Sequence, residues 1–242
     1  MLRRVLTLLL TAAVLLSCQS GKKPASVESV CTYWQRHDWH LDEDLDITEG
    51  RFAEFAELAA AAPKEEAIAA LGALLDSLKA KDEVAYYIYI GWMDGVFYSP
   101  ESPCRDKDLY TYTVDRIEQD GVLDPEECEP YRQRRRWIAI NQTGEQAIVP
   151  EAELDGRRTL VLVASLGCPI CLVALDNLLS DPQWDDCRHV ALCSGYEPLP
   201  DTPGWEYYAL PQASRFFDVQ LTPFYYVVDA DGIVEKTYTP AL

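Results

Sequence analysis

The chain has 242 residues, 48% hydrophobic and 25% charged, a globular composition that excludes collagen-like and wholly disordered chains. Its 40 acidic against 21 basic residues give a formal net charge of −19, which repels phosphate backbones, so no nucleic-acid partner is expected. Eight cysteines are many for a cytosolic chain and point to an oxidising or redox-managed compartment.

Residues 1–17 carry Arg3-Arg4 and then the apolar run VLTLLLTAAVLL, a targeting signal too short for a settled membrane span. Leu15-Leu16-Ser17-Cys18 follows and resembles the lipobox of bacterial lipoproteins. That resemblance implies cleavage before Cys18, lipidation of Cys18 and a tether over residues 18–30. The competing reading is ordinary signal cleavage with Cys18 incidental. Without residues 1–17 the balance is 19 basic against 40 acidic residues, or −21. If Cys18 is lipidated, seven cysteines remain, an odd number that cannot all pair within one chain.

Residues 31–140 read as a small helical domain. Ile68, Leu71, Leu74, Leu75 and Leu78 recur at helix spacing, with Pro63 at the entry, Glu65 and Glu66 in the first turn and Lys79 and Lys81 at the exit. Glu83–Phe97 is predicted as a second helix and Asp106–Gln119 as a third, closed by Gly121. Asp124-Pro125 opens a fourth, running through Arg132, Arg134, Arg135 and Arg136. That basic cluster is either a binding patch or a solvated face complementing the helix dipole. His37, Asp38 and His40 lack a third or fourth ligand at metal-site spacing, so no metal is expected there. Cys104 and Cys128 could pair with each other or with Cys31.

At Asn141-Gln142-Thr143-Gly144 the period changes to short strands, opening a domain over residues 141–242. Thr159–Ser165 reads as a buried strand, Cys171–Ser180 as a helix and His189–Cys193 as another buried strand, which makes a β-α-β unit. A short helix near Gln212–Phe217 and the strands Phe224–Asp229 and Ile233–Thr239, joined at Ala230-Asp231-Gly232, complete the reading.

The chemistry centres on Cys168-Pro169-Ile170-Cys171. Cys168 falls at a helix N-terminus, where unpaired amides and the dipole favour the thiolate that attacks disulfides, and Cys171 sits one turn in as resolving thiol. A stable structural disulfide is the alternative. Zinc is another, because Cys187 and Cys193 continue the series at C-x2-C-x15-C-x5-C, although zinc ribbons usually close with a second short knuckle. Cys193, at the end of its strand, is either a third thiol within reach or a small buried residue.

Strand, GCPIC, helix and strand, followed by Phe216–Phe224 and Val227–Gly232, resemble the thioredoxin superfamily, particularly TlpA/ResA-like envelope proteins. The resemblance implies an α/β fold class: a thioredoxin-like C-terminal domain, with a central mixed sheet flanked by helices, preceded by a small all-α domain. It also implies a cis-proline at Thr222-Pro223 opposite the cysteines, with the Thr222 backbone pairing to a bound client as an added strand. The expected function is a membrane-anchored thiol-disulfide oxidoreductase, reductase or isomerase. Its expected partners are disulfide-containing envelope proteins and an upstream thiol donor, and it needs no cofactor. The body is expected in the periplasm, anchored by lipid, with the outer membrane favoured. The alternative is a non-catalytic binding or scaffold lipoprotein whose cysteine pair is a structural disulfide. A peroxiredoxin is disfavoured, because Val163–Gly167 lacks the upstream Pro, Thr and arginine of that class.

Three departures accompany the resemblance. Gly167 stands where thioredoxins carry an aromatic residue, and neither Thr159–Ser165 nor the first turn after Cys171 holds an acid to move protons. No covering helix follows the last strand, so one sheet face is expected to be thinly covered or shared with the helical domain. The segment GWMDGVFYSPESPCRDKDLYTYTVDRI is similar to a domain of unknown function found upstream of thioredoxin-like domains in anaerobe envelope lipoproteins.

Overall fold

The computed structural model describes residues 29–165, 167–194 and 203–241; the targeting signal, Cys18 and nearly all of the tether lie outside the described residues. Its N-terminal part is helical: a 3-10 turn Val30–Thr32, then α1 (Tyr33–Arg36), α2 (Leu45–Ala61), α3 (Lys64–Lys81), α4 (Glu83–Met93), α5 (Lys107–Asp120) and α6 (Pro125–Ile138). Short acidic side chains start several of these helices. Asp82 accepts from the Ala85 N–H at 2.9 Å and Asp106 from the Asp108 and Leu109 N–H groups at 2.9 Å each, satisfying first-turn donors. Gly121 ends α5 at φ 65°, in the left-handed region that favours glycine.

The expected helix over Glu83–Phe97 is α-helical only to Met93 and continues as a π turn, Asp94–Tyr98. Polar partners hold that turn: the Asp94 carboxylate accepts from the Tyr110 hydroxyl at 2.6 Å and from Arg134 at 2.9 Å. The remaining arginines of the basic cluster are ion-paired as well. Arg132 meets Glu118 and Glu129, Arg135 meets Asp115 and Glu118, and Arg136 meets Glu129. The cluster is therefore an ion-paired helix face.

The C-terminal part is a five-stranded mixed sheet in the order β3-β2-β1-β4-β5. Its strands are β1 (Thr159–Ser165), β2 (Arg188–Ser194), β3 (Glu206–Ala209), β4 (Phe224–Val228) and β5 (Val234–Pro240). β1 is central, parallel to β2 and antiparallel to β4, and is buried over all but its last residue. One face, with Leu160, Leu162, Ala164, Ala191 and Tyr225, packs under helix α7 (Pro169–Ser180) through Cys171, Ala174, Leu175 and Leu178. β3 was not foreseen; it is a four-residue edge strand without an apolar run.

The opposite face, with Val161, Val163, Leu192, Phe224 and Tyr226, is closed by Ala152, Leu210, Ala213 and Phe217. The short helix expected near Gln212–Phe217 is here a single 3-10 turn, Ala213–Arg215, and a second 3-10 turn, Val219–Leu221, follows it. The helical region adds to this cover. Leu221 packs against both cores, the Tyr98 hydroxyl donates to Asp218 at 2.9 Å, and Trp137 Nε1 donates to the Ser214 carbonyl at 2.8 Å. Asn141, buried at φ 54°, clasps both backbone groups of Ile148 and so fixes the passage between the two parts. No helix among the described residues is long and apolar enough to cross a membrane.

Candidate functional site

Parallel strands β1 and β2 end together, with Ser165 opposite Ser194 in the register, and the chain turns there into α7. Gly167 makes part of that turn at φ 76°, where a residue with a β-carbon is strained, which accounts for a glycine in place of an aromatic side chain. Cys168 is the N-cap of α7 and half-buried, and Pro169 takes the first helical position, where its missing N–H costs nothing.

The two thiols have different environments. The Cys171 thiol, then the Cys171 and Ile170 N–H groups, donate to Cys168 and hold its pKa below the ordinary thiol range, despite a small opposing effect of burial. Burial first, and then the neighbouring Cys168, push Cys171 up; the Ser165 N–H, which donates to its sulfur at 3.3 Å, opposes this. Cys168 is thus the more accessible thiol, held toward thiolate, and Cys171 the buried one, held toward the protonated form.

Thr222-Pro223 is a cis peptide bond and lies against this pair. The Thr222 hydroxyl is 2.9 Å from that of Ser165 and acts on Cys171, while Ser165 is also 3.0 Å from the Ser194 hydroxyl. The structure thus brings Cys168, Cys171 and Thr222-Pro223 together and adds Ser165 and Ser194, which the sequence reading missed. Their signal was position: each closes one of two adjacent parallel strands, and so each reaches the edge that carries the cysteines. Among the described residues no carboxylate acts on either cysteine of the pair; a chain of hydroxyls, Ser194, Ser165 and Thr222, lies beside Cys171 instead.

Cys193 is buried in the same core cluster as Cys171, and burial, with a smaller contribution from Cys171, pushes its pKa up to about 12. Cys187 lies at the other end of the sheet, where Arg158 donates to its sulfur at 3.4 Å. Seven-residue strands span roughly 20 Å, so Cys187 cannot join Cys168 and Cys171 in one tetrahedral site. No cluster of three or more metal-ligating side chains occurs among the described residues. His37 stacks on Tyr33, and His40 pairs with Asp38. Cys31, Cys104 and Cys128 are free thiols, the last two buried.

Three apolar side chains stand exposed on α7 beside Cys168: Ile170, Leu172 and Val173, at 50%, 42% and 52% exposure. They make an apolar surface beside the Cys168 thiol, of the kind that can receive a polypeptide. Across the site, no backbone hydrogen bond forms to the Thr222 N–H or C=O among the described residues, so an extended chain has both groups to pair with.

Comparisons with known proteins bear on the fold. Residues 31–141 match the family model of a domain of unknown function, DUF5106. No curated protein matches the chain. The crystal structure of a thioredoxin-like protein from Bacteroides caccae superimposes with a TM-score of 0.70 at 17% identity, over 88% of this chain and 87% of that one. The chain therefore has a thioredoxin-like fold, a five-stranded mixed sheet with flanking helices preceded by a helical region.

Proposed function

We propose that this protein is a thiol-disulfide oxidoreductase of the TlpA/ResA-like kind, acting on disulfides of envelope proteins and tethered to the membrane through lipid on Cys18. The observation that carries the reading is the asymmetry of the pair: a half-buried Cys168 at the open N-terminus of α7, held toward thiolate, over a buried Cys171 held toward thiol.

The Cys168 thiolate attacks one sulfur of a client disulfide. A Cys168–client bond forms, the client S–S bond breaks, and the departing thiolate takes a proton from water. Cys171 then loses its proton and attacks Cys168 Sγ, closing a Cys168–Cys171 disulfide and releasing the second client thiolate. Two electrons have passed to the client, and an upstream dithiol donor returns the pair to thiols. Ser165, Thr222 and Ser194 form the polar path beside Cys171 along which its proton can leave, with no acid acting on the pair among the described residues.

The test is the oxidation of the reduced protein by insulin disulfides across a pH series. The rate is expected to rise with pH as Cys168 ionises and to level off below about 8.5, the ordinary thiol value, because a lowered pKa populates the thiolate at lower pH. Cys168→Ala is expected to lose the reaction. Oxidation that persists in Cys168→Ala, or that climbs without levelling through pH 9, contradicts the assignment.

A further inference from the structure

A groove of about 210 Å³ opens beside Thr222-Pro223, and its far wall is built by the helical region rather than by the sheet. Ser99, Pro100 and Glu101 line one side; Thr222, Pro223 and Pro240 line the other. The wall is held in place. The turn follows the π segment whose last residue, Tyr98, bonds Asp218; Ser99 Oγ accepts from the Glu101 N–H at 3.3 Å; and Arg105 Nε donates to the Tyr98 carbonyl at 3.1 Å. Among the described residues Glu101 is the only charged one lining the groove; it is exposed, and its carboxylate forms no ion pair with any of them.

We infer that the Ser99–Glu101 turn is the second wall of the client groove and that Glu101 recognises a lysine or arginine flanking the client cysteine. This rests on the reading of Cys168 and Cys171 as an exchange pair. A client strand added at Thr222 advances about 3.3 Å per residue, which carries its flanking side chains into this groove within one or two residues. An otherwise uncharged, proline-lined cleft with one carboxylate at its rim favours an extended basic segment over an acidic one. The helical region then contributes client selection, a role beyond covering the sheet.

The test uses the reduced full-length protein in detergent at low ionic strength. Two disulfide-bridged peptides are compared that differ only in having Lys-Arg or Asp-Glu beside the cysteines, and the readout is the ratio of their second-order oxidation rates. Glu101→Gln is expected to lower the basic-over-acidic ratio by about threefold, the range of an ion pair open to water, and Glu101→Lys by about tenfold. Asp231→Lys makes the same charge change as Glu101→Lys in the β4–β5 turn, at the opposite end of the sheet, and is expected to shift the ratio less than twofold. Equal shifts in Glu101→Lys and Asp231→Lys, or none in either, overturn the groove assignment. Failure of the unsubstituted protein to react with both peptides overturns the exchange reading, and the groove with it.

Discussion

Cys171→Ala is expected to accumulate client proteins as mixed disulfides on Cys168, while Cys168→Ala accumulates none. The reason lies in the order of the two thiols. Cys168 is the accessible group and the one whose thiolate is favoured, so it reacts first whichever client arrives. Only Cys171, one turn into α7 and covered by the sheet, can reach the new bond from inside. Removing it leaves the client linked until an outside thiol intervenes. Non-reducing electrophoresis after acid quenching reads the result, and trapping should exceed the Cys168→Ala background by at least about tenfold, as fits loss of the resolving step. Trapping of equal extent in both variants would place the reactive thiol elsewhere, with the exposed Cys31 and the half-buried Cys187 as the accessible candidates.

The second large effect is on stability. Phe217→Ala is expected to cost about 3–5 kcal/mol, the range for removing a buried aromatic side chain from a packed core. Phe217 is 1% exposed, and its ring centroid lies 6.0 Å from that of Phe224, 6.2 Å from that of Tyr226 and 6.3 Å from that of Tyr238. It closes the sheet face left without a helix and begins the stretch that leads through Asp218 to Thr222-Pro223. The cavity therefore opens where the helical region, the sheet and the cis-proline segment meet. Equilibrium denaturation should show the loss. A cost under about 1 kcal/mol would mean that this face is loosely packed and that the helical region does not depend on it.

Where the sequence carried strong local signals, the structure follows them. Helix α3 was legible from five apolar residues at helix spacing, α5 from its closing glycine and α6 from Asp124-Pro125. β1 and β2 were legible because buried parallel strands read as continuous apolar runs, and the antiparallel β4–β5 hairpin because the Ala230-Asp231-Gly232 turn joins its strands. Helix α2 was not picked out individually: its buried face is Thr48, Phe52, Phe55, Ala56 and Ala59, and small residues give little contrast against a helix rich in alanine and glutamate. The π turn after α4 was hidden because it depends on partners far along the chain, Tyr110, Arg134 and Asp218.

The same distinction runs through the site. Cys168, Cys171 and Thr222-Pro223 stood out by motif, because each is a residue type with a local job. The hydroxyl chain of Ser165, Thr222 and Ser194 and the wall formed by Ser99–Glu101 arise only when separate strands and turns come together. The cover of the second sheet face is of the same kind. No covering helix was legible there, and the face is closed by loop residues and by contacts with the helical region.

The most direct test of the account is the reduction potential of the Cys168/Cys171 pair, measured by equilibration against thiol-disulfide buffers with Cys168→Ala as the control. A thiolate stabilised at the helix N-terminus favours the reduced form, so a potential between about −120 and −270 mV is expected, the span of known oxidoreductases. A potential below about −300 mV would make the pair a structural disulfide and the protein a binding or scaffold lipoprotein with a thioredoxin-like fold.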